Sequence, residues 1–275
     1  MSRSDLVSTR VGTLHTEIIG SGPPVLLWHS MLVDGTQWQR VVSELSGERT
    51  LIVVDGPGHG RSGRPAPGYT LDDCADAAAE LLSSLGFDAV DWVGNAWGGH
   101  VGLVFASRHP DRCRSVVAIA TPTVPLSASE RMETRLLAGV YRLVGPRKVL
   151  SDAIADTLLS KESRRTDPQA RKILADGFAR ADRTGMHRSM HAMMLHRPDI
   201  GALLPGITAP ALFLAGSDDR MWPPQTAGRY AERIPGGRTG TVQGAHRLPP
   251  LECPAVVSAQ LREFWAHVAE LQTRP

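Results

Sequence analysis

Cysteine is scarce in this chain. Cys74, Cys113 and Cys253 are the three in 275 residues, and no Cys-x-x-Cys occurs. That is too few and too scattered for a disulfide framework or a thiolate zinc site, so they read as small apolar core residues. No run approaches the 18 or so apolar residues that a membrane span needs. The opening MSRSDLVSTR lacks the apolar stretch of a secretory signal. The expectation is a cytoplasmic protein with no membrane partner. An excess of one charge is also missing: 30 Lys plus Arg stand against 28 Asp plus Glu, a net of +2. That balance provides no electrostatic footprint for nucleic acid. Internal repeats and low-complexity tracts are absent, and the 27 Gly and 20 Pro follow no period, which excludes a collagen-like chain. What is present is 42% hydrophobic and 21% charged residues, the balance of a globular protein and not of a disordered one. The length admits one large domain or two small ones.

Strand-like and helix-like segments alternate. Residues 25–29 form a short apolar run after Gly22-Pro-Pro24, and residues 51–54 form another. Such runs, closed by turn residues, predict buried strands. Trp38, Val41, Val42 and Leu45 recur at helical spacing, as do Leu71, Ala75, Ala78, Leu82 and Leu85. Residues 89–93 and 115–120 predict further strands, with a small-residue helix over 97–108 between them. This rhythm predicts a mostly parallel, doubly wound sheet covered on both faces. It stops after Pro122 and resumes at Pro210 with a strand over 211–215, a helix over 225–234, a strand over 238–242 and a last helix over 254–271. The expectation is an α/β core of residues 1–121 and 206–275, carrying an all-helical cap insertion over 122–205. Such an insert would sit at the carboxyl ends of the strands, where parallel sheets bind ligands.

The strand around Asp91-Trp92-Val93 runs into Gly94-Asn-Ala-Trp-Gly-Gly99 and then a helix. Glycine on both sides lets neighbouring backbones approach a central residue held in strained geometry at a helix start. A nucleophile there gains from the helix dipole, and the next backbone N–H can stabilise an oxyanion. Alone, the segment could equally be an ordinary glycine-rich turn. Four further motifs accompany it: His29-Ser-Met31 after one strand, Asp55-Gly-Pro-Gly-His-Gly-Arg-Ser62 after another, Gly216-Ser-Asp-Asp219 followed by Pro223, and Gly244-Ala-His246 followed by Glu252 and Pro254.

With these residues the chain resembles the α/β-hydrolase family over nearly all of its length. The resemblance implies a Ser-His-Asp triad with Asp219 as the acid (Asp218 being the neighbouring alternative) and His246 as the base. Its oxyanion donors would be the N–H groups of Met31 and Trp97. Position 30 departs from the family's usual glycine, and His59 falls in a structural turn. The nucleophile position holds Ala96, and a methyl group cannot attack a carbonyl. Keeping Asp219 and His246 beside an alanine favours an inactive serine-to-alanine variant of a working enzyme. A natural alanine, in a non-catalytic ligand-binding member, is the other reading.

The string Ser30, Asp34, Trp38 is similar to that of enol-lactonases, which makes Ser30 and Trp38 candidate substrate contacts. Trp38 is equally well explained as the first core residue of its helix. In the insertion, Met186, Met190, Met193 and Met194 read as an adaptable apolar lining or the core beneath it. Met190 and Met194 are the candidate contacts. His187 and His191 share a helix face but lack a third metal ligand. Arg188 or Arg197 could meet an acidic substrate group or be solvated. The single tyrosine of the insert, Tyr141, speaks against similarity to epoxide hydrolases. Taken together, the resemblance implies hydrolysis of a small carboxylic ester or lactone, a small-molecule substrate, and no metal or cofactor. Carbon–carbon bond hydrolases and haloalkane dehalogenases of the same fold are the alternatives.

Overall fold

The computed structural model describes residues 2–273. Eight strands form one sheet: β1 (Ser2–Thr9), β2 (Gly12–Gly20), β3 (Pro24–Trp28), β4 (Thr50–Val54), β5 (Val90–Asn95), β6 (Cys113–Ile119), β7 (Ala211–Gly216) and β8 (Arg238–Val242). Their order is β1-β2-β4-β3-β5-β6-β7-β8. From β4 to β8 every pairing is parallel, while β1 and β2 form an antiparallel hairpin that adds to β4.

Side chains of successive strand residues point to opposite faces, so an apolar run buried on both faces feeds two cores. Leu26, Trp28, Ile52 and Val54 enter one hydrophobic cluster. Val25, Leu27, Leu51 and Val53 enter the other. The first is covered by α2 (Leu71–Leu85), α3 (Trp97–Arg108) and the helical insertion, the second by α1 (Gln39–Leu45) and α11 (Pro254–Thr273). Helix α2 is set at both ends. Thr70 and Asp73 form a reciprocal capping box, and Gly86 closes the C-terminus in the left-handed conformation at φ 80°.

The hairpin of β1 and β2 is the element that hydrophobic patterning does not predict. Ser2–Thr9 is largely exposed, with Val7 its one buried side chain. An edge strand facing water needs no apolar run, so no run signals it.

Between β6 and β7 every element is helical: α4 (Ala128–Val144), α5 (Lys148–Leu158), α6 (Lys161–Thr166), α7 (Pro168–Arg180), α8 (Arg183–Ser189), a π turn over Met190–Leu195 and a 3-10 turn over Gly201–Gly206. Ion pairs fasten this segment to the sheet domain. Arg40 chelates Asp167 at 2.5 and 2.8 Å, Arg64 chelates Asp182 at 2.9 Å twice, and Arg180 reaches back to Asp34 at 2.7 and 3.0 Å. Helices α9 (Pro224–Ala231) and α10 (Pro249–Glu252) complete the order. No described helix is long and apolar enough to cross a membrane.

Candidate active site

Ala96 joins β5 to α3 at φ 48°, ψ −104°. That is outside every region an L-residue adopts freely and costs on the order of 1–3 kcal/mol. Glycines hold it there. A Cβ on Gly94 would lie 2.1 Å from the backbone of Gly98, and one on Gly98 would lie 2.0 Å from the carbonyl of Trp28. The Ala96 N–H donates to the Ile119 carbonyl at 2.8 Å. Across residues 90–106, Ala96 alone is not buried. The elbow therefore offers its β-carbon outward at the start of a helix. Leu32 and Ala120 are the other non-glycine residues with positive φ among the described residues. One follows Met31 and the other ends the strand beside Ala96, so backbone strain gathers around this point.

The loop of Met31 is fixed from behind. The His29 Nε2 accepts the Gly56 N–H at 2.8 Å, so Nδ1 carries the proton and donates to the Ser30 carbonyl at 2.6 Å. Burial pushes this imidazole below its ordinary pKa, against the pull of Asp55, which keeps it neutral and in that tautomer. Because the peptide is trans, the Met31 N–H points opposite to the tethered Ser30 carbonyl. Neither the Met31 nor the Trp97 N–H has a protein partner among the described residues. The Trp97 N–H, in the first turn of α3, has no intrahelical acceptor by construction. Ser30 itself is 4% exposed, and its N–H donates to the Gln37 side chain at 3.0 Å.

Asp219 is 1% exposed, whereas Asp218 is exposed and hydrogen-bonded to Ser217. The Asp219 Oδ1 accepts the N–H groups of Met221 and Trp222 at 2.9 and 3.0 Å. Its loop is stitched to that of His246 through Ser217 N–H to Val242 carbonyl and Asp218 N–H to Ala245 carbonyl, both 3.0 Å. A Cβ on Gly216 would meet the carbonyls of Ala245 and His246 at 2.3 Å, so only glycine lets these strand ends close. The expected hydrogen bond between acid and base is not made. Asp219 Oδ2 and His246 Nδ1 are each buried without a partner. Glu252 holds the histidine loop by accepting the His246 N–H at 2.9 Å and, with its other oxygen, the Ser160 N–H of the insertion at 2.7 Å.

Two buried amides escaped the sequence reading. Gln37 accepts the Ser30 N–H and donates to Asn95 Oδ1 at 2.9 Å. Asn95 Nδ2 donates to the carbonyls of Ile119 and Arg247 at 3.0 and 3.2 Å. One relay thus ties the Met31 loop, the elbow and the histidine loop. Nothing local marks Gln37, whose partner lies 58 positions away.

Several candidate contacts are placed elsewhere. Trp38 is 0% exposed and belongs to the core on the α1 face of the sheet, so it takes the place of a core residue at its helix start. Met190 is likewise completely buried within the core that the insertion shares, and Met194 is half-buried against it. Asp34 braces Arg180 and caps a 3-10 turn. His59 is buried beneath Trp97, ring centroids 5.0 Å apart. His187, His191 and Arg188 line an outer groove that includes none of Ala96, Met31 or His246. Among the described residues no cluster of metal-ligating side chains occurs.

A strained strand-to-helix elbow flanked by a buried acid loop and a histidine loop, on a parallel sheet with a helical insertion, defines a hydrolase scaffold. The family model for the alpha/beta hydrolase fold matches residues 23–252, and the chain belongs to that family. Among curated relatives, 2-(acetamidomethylene)succinate hydrolase of Mesorhizobium japonicum is 36% identical over 128 residues, a match spanning 46% of each chain. A thermophilic esterase from Thermogutta terrifontis, solved with malate bound, superposes with a TM-score of 0.88 at 29% identity, over 97% of this chain and 99% of that one. The enol-lactonase from Burkholderia xenovorans LB400 shares the fold, with a TM-score of 0.87 at 24% identity over 95% and 100% of the two chains.

Proposed function

We propose that this site is built to hydrolyse a small carboxylic ester or lactone, and that Ala96 stands where the covalent nucleophile would be. The observation that carries the reading is the conformation of Ala96. An alanine has no use for φ 48°, ψ −104°, and a fold bears that strain only where the side chain it presents matters. With serine at 96, the hydroxyl would attack the substrate carbonyl. The oxyanion would settle on the Met31 and Trp97 N–H groups, which face no protein acceptor. His246 would take the hydroxyl proton and return it to the leaving alkoxide, and Asp219 Oδ2, free for this purpose, would accept the His246 Nδ1–H. Water activated by His246 would then release the acid. Without the hydroxyl, the chain as written binds substrate and forms no acyl-enzyme.

The test is to compare the chain with its Ala96→Ser and Ala96→Asp variants on aryl acetates, lactones and haloalkanes. Ala96→Ser is expected to raise ester or lactone hydrolysis by on the order of 10³-fold or more, with an acyl adduct on Ser at 96 seen by mass spectrometry. A silent Ala96→Ser chain beside an Ala96→Asp chain that releases halide would move the assignment to a dehalogenase. Silence of both, with retained ligand binding, would make the fold a receptor.

A further inference from the structure

We propose that the substrate of this site carries a carboxylate, held between Arg197 of the helical insertion and Arg247 of the histidine loop. The proposal rests on the reading of Ala96 as the reaction centre and adds a binding subsite to it.

Arg247 directly follows His246. Its carbonyl accepts Asn95 Nδ2 at 3.2 Å, and its N–H donates to the Leu158 carbonyl at 3.1 Å, which pins its backbone between the elbow and the insertion. Arg197 follows the π turn and reaches the Val124 carbonyl at 2.5 Å. Val124 belongs to the segment leaving β6, the strand whose Ile119 carbonyl receives the Ala96 N–H. Arg247 is thus tied to the elbow through its backbone, and Arg197 to the segment that follows the neighbouring strand. Both Nε atoms are buried without a partner, as is the Thr123 hydroxyl next to Val124.

These two cations differ from three other arginines at the seam between insertion and sheet. Arg40, Arg64 and Arg180 each chelate a carboxylate across it. Arg197 and Arg247 have no carboxylate in ion-pair contact among the described residues. Arg164, the other arginine with a buried unpartnered Nε, has Asp156 at 2.5 Å. The anion within reach of the pair's charge is Glu130, which accepts the Ser127 N–H at 2.7 Å as a helix cap. Two half-buried guanidiniums against one carboxylate leave a positive charge uncompensated. Burial and the neighbouring Arg247 push Arg197 down to about 10, still cationic at neutral pH. Unpaired buried charge is costly. A substrate carboxylate would supply the missing countercharge and accept the idle N–H groups, in the planar two-point geometry that guanidinium favours.

Monomethyl succinate and methyl butyrate test this, since they differ only in a terminal carboxylate against a methyl group. Calorimetric titration of the chain as it stands should show the acid binding at least about tenfold more tightly at pH 7, the range expected of hydrogen bonds to charged groups. Arg197→Met and Arg247→Met should each reduce that preference by about tenfold, with Arg197→Lys intermediate. Equal affinity of the unmodified chain for the two esters overturns the proposal, without recourse to any variant. So does a preference that survives both arginine changes in folded protein. If the Ala96→Ser chain hydrolyses methyl butyrate as well as monomethyl succinate, the subsite is wrong and the esterase reading stands. Arginine-dependent binding of the acid in a chain that never gains hydrolysis separates the opposite case.

Discussion

Asp55, bonded to His15, and Asp219, on the loop stitched to that of His246, show opposite hydrogen bonding. Asp55 is fully engaged: Oδ1 accepts the Gly35 N–H at 2.8 Å, and Oδ2 accepts the Arg61 N–H and His15 Nδ1, both at 2.9 Å. His15 Nε2 in turn meets the Ser4 hydroxyl at 2.9 Å. Every bond of a Ser-His-Asp chain is made there, yet Ser4 sits in regular strand backbone, without the positive φ of the elbow. The chain ties β1 and β2 to the turn after β4. Asp219 and His246 present the reverse picture, with Asp219 Oδ2 and His246 Nδ1 unpartnered, and the same fold holds a strained elbow and unengaged N–H groups. Hydrogen bonds completed within the protein stabilise architecture. Polar groups left open at a strained point mark where the fold expects something from outside.

The comparison can be broken most sharply at Asp219. In the Ala96→Ser chain, Asp219→Asn is expected to lower kcat by about 10⁴-fold, through loss of the correct imidazole tautomer, while thermal stability barely moves. A large drop in melting temperature with retained kcat would make Asp219 structural. The same treatment of Asp55 should give the converse. Asp55→Ala leaves buried donors unpaired and is expected to cost about 3–5 kcal/mol in urea unfolding; a loss under 1 kcal/mol would show that the bonds around it are idle. Gln37→Leu deprives the Ser30 N–H and Asn95 of their partner and should cost about 1–3 kcal/mol, with ester turnover falling along with it in the Ala96→Ser background. Unchanged turnover would show that the relay does not position the oxyanion loop.

The last comparison is in pH dependence. Burial takes the His59 imidazole from 6.5 to about 3. Between those values the unfolded chain binds a proton that the folded chain refuses, so stability is full above pH 6.5 and declines as pH falls toward 3. Asp55 adds a decline in the same direction at lower pH. Burial raises its carboxyl, but the bonds from His15 and Arg61 outweigh burial and hold it below 3.8. The melting temperature should therefore fall between pH 7 and 4, and His59→Phe should flatten that slope. An unaltered slope would place the titrating groups elsewhere.

Local pattern was enough for the parallel core, because strands buried on both faces must be apolar throughout, as in Leu51 to Val54. It was enough for the elbow as well, since Gly94 and Gly98 leave no space for a β-carbon. Trp38 was ambiguous for a physical reason. An apolar side chain at the start of a helix faces either core or ligand, and only packing against the sheet decides which. Gln37 and the completed triad of Ser4, His15 and Asp55 left no local mark, because each depends on a partner distant in the chain, and the edge hairpin left none because its outer strand faces water.

What the sequence by itself determined is the class of fold and the residue that stands at each candidate position, Ala96 included. Both follow from short-range chemistry: glycine sterics, apolar periodicity and the turn residues that end strands. Tertiary structure alone decided which polar groups are satisfied. Asp55 and Asp219, like Arg180 and Arg197, are indistinguishable as residue types. They part company only when folding brings a partner to Asp55 and Arg180 and leaves Asp219 Oδ2 and Arg197 Nε buried without one.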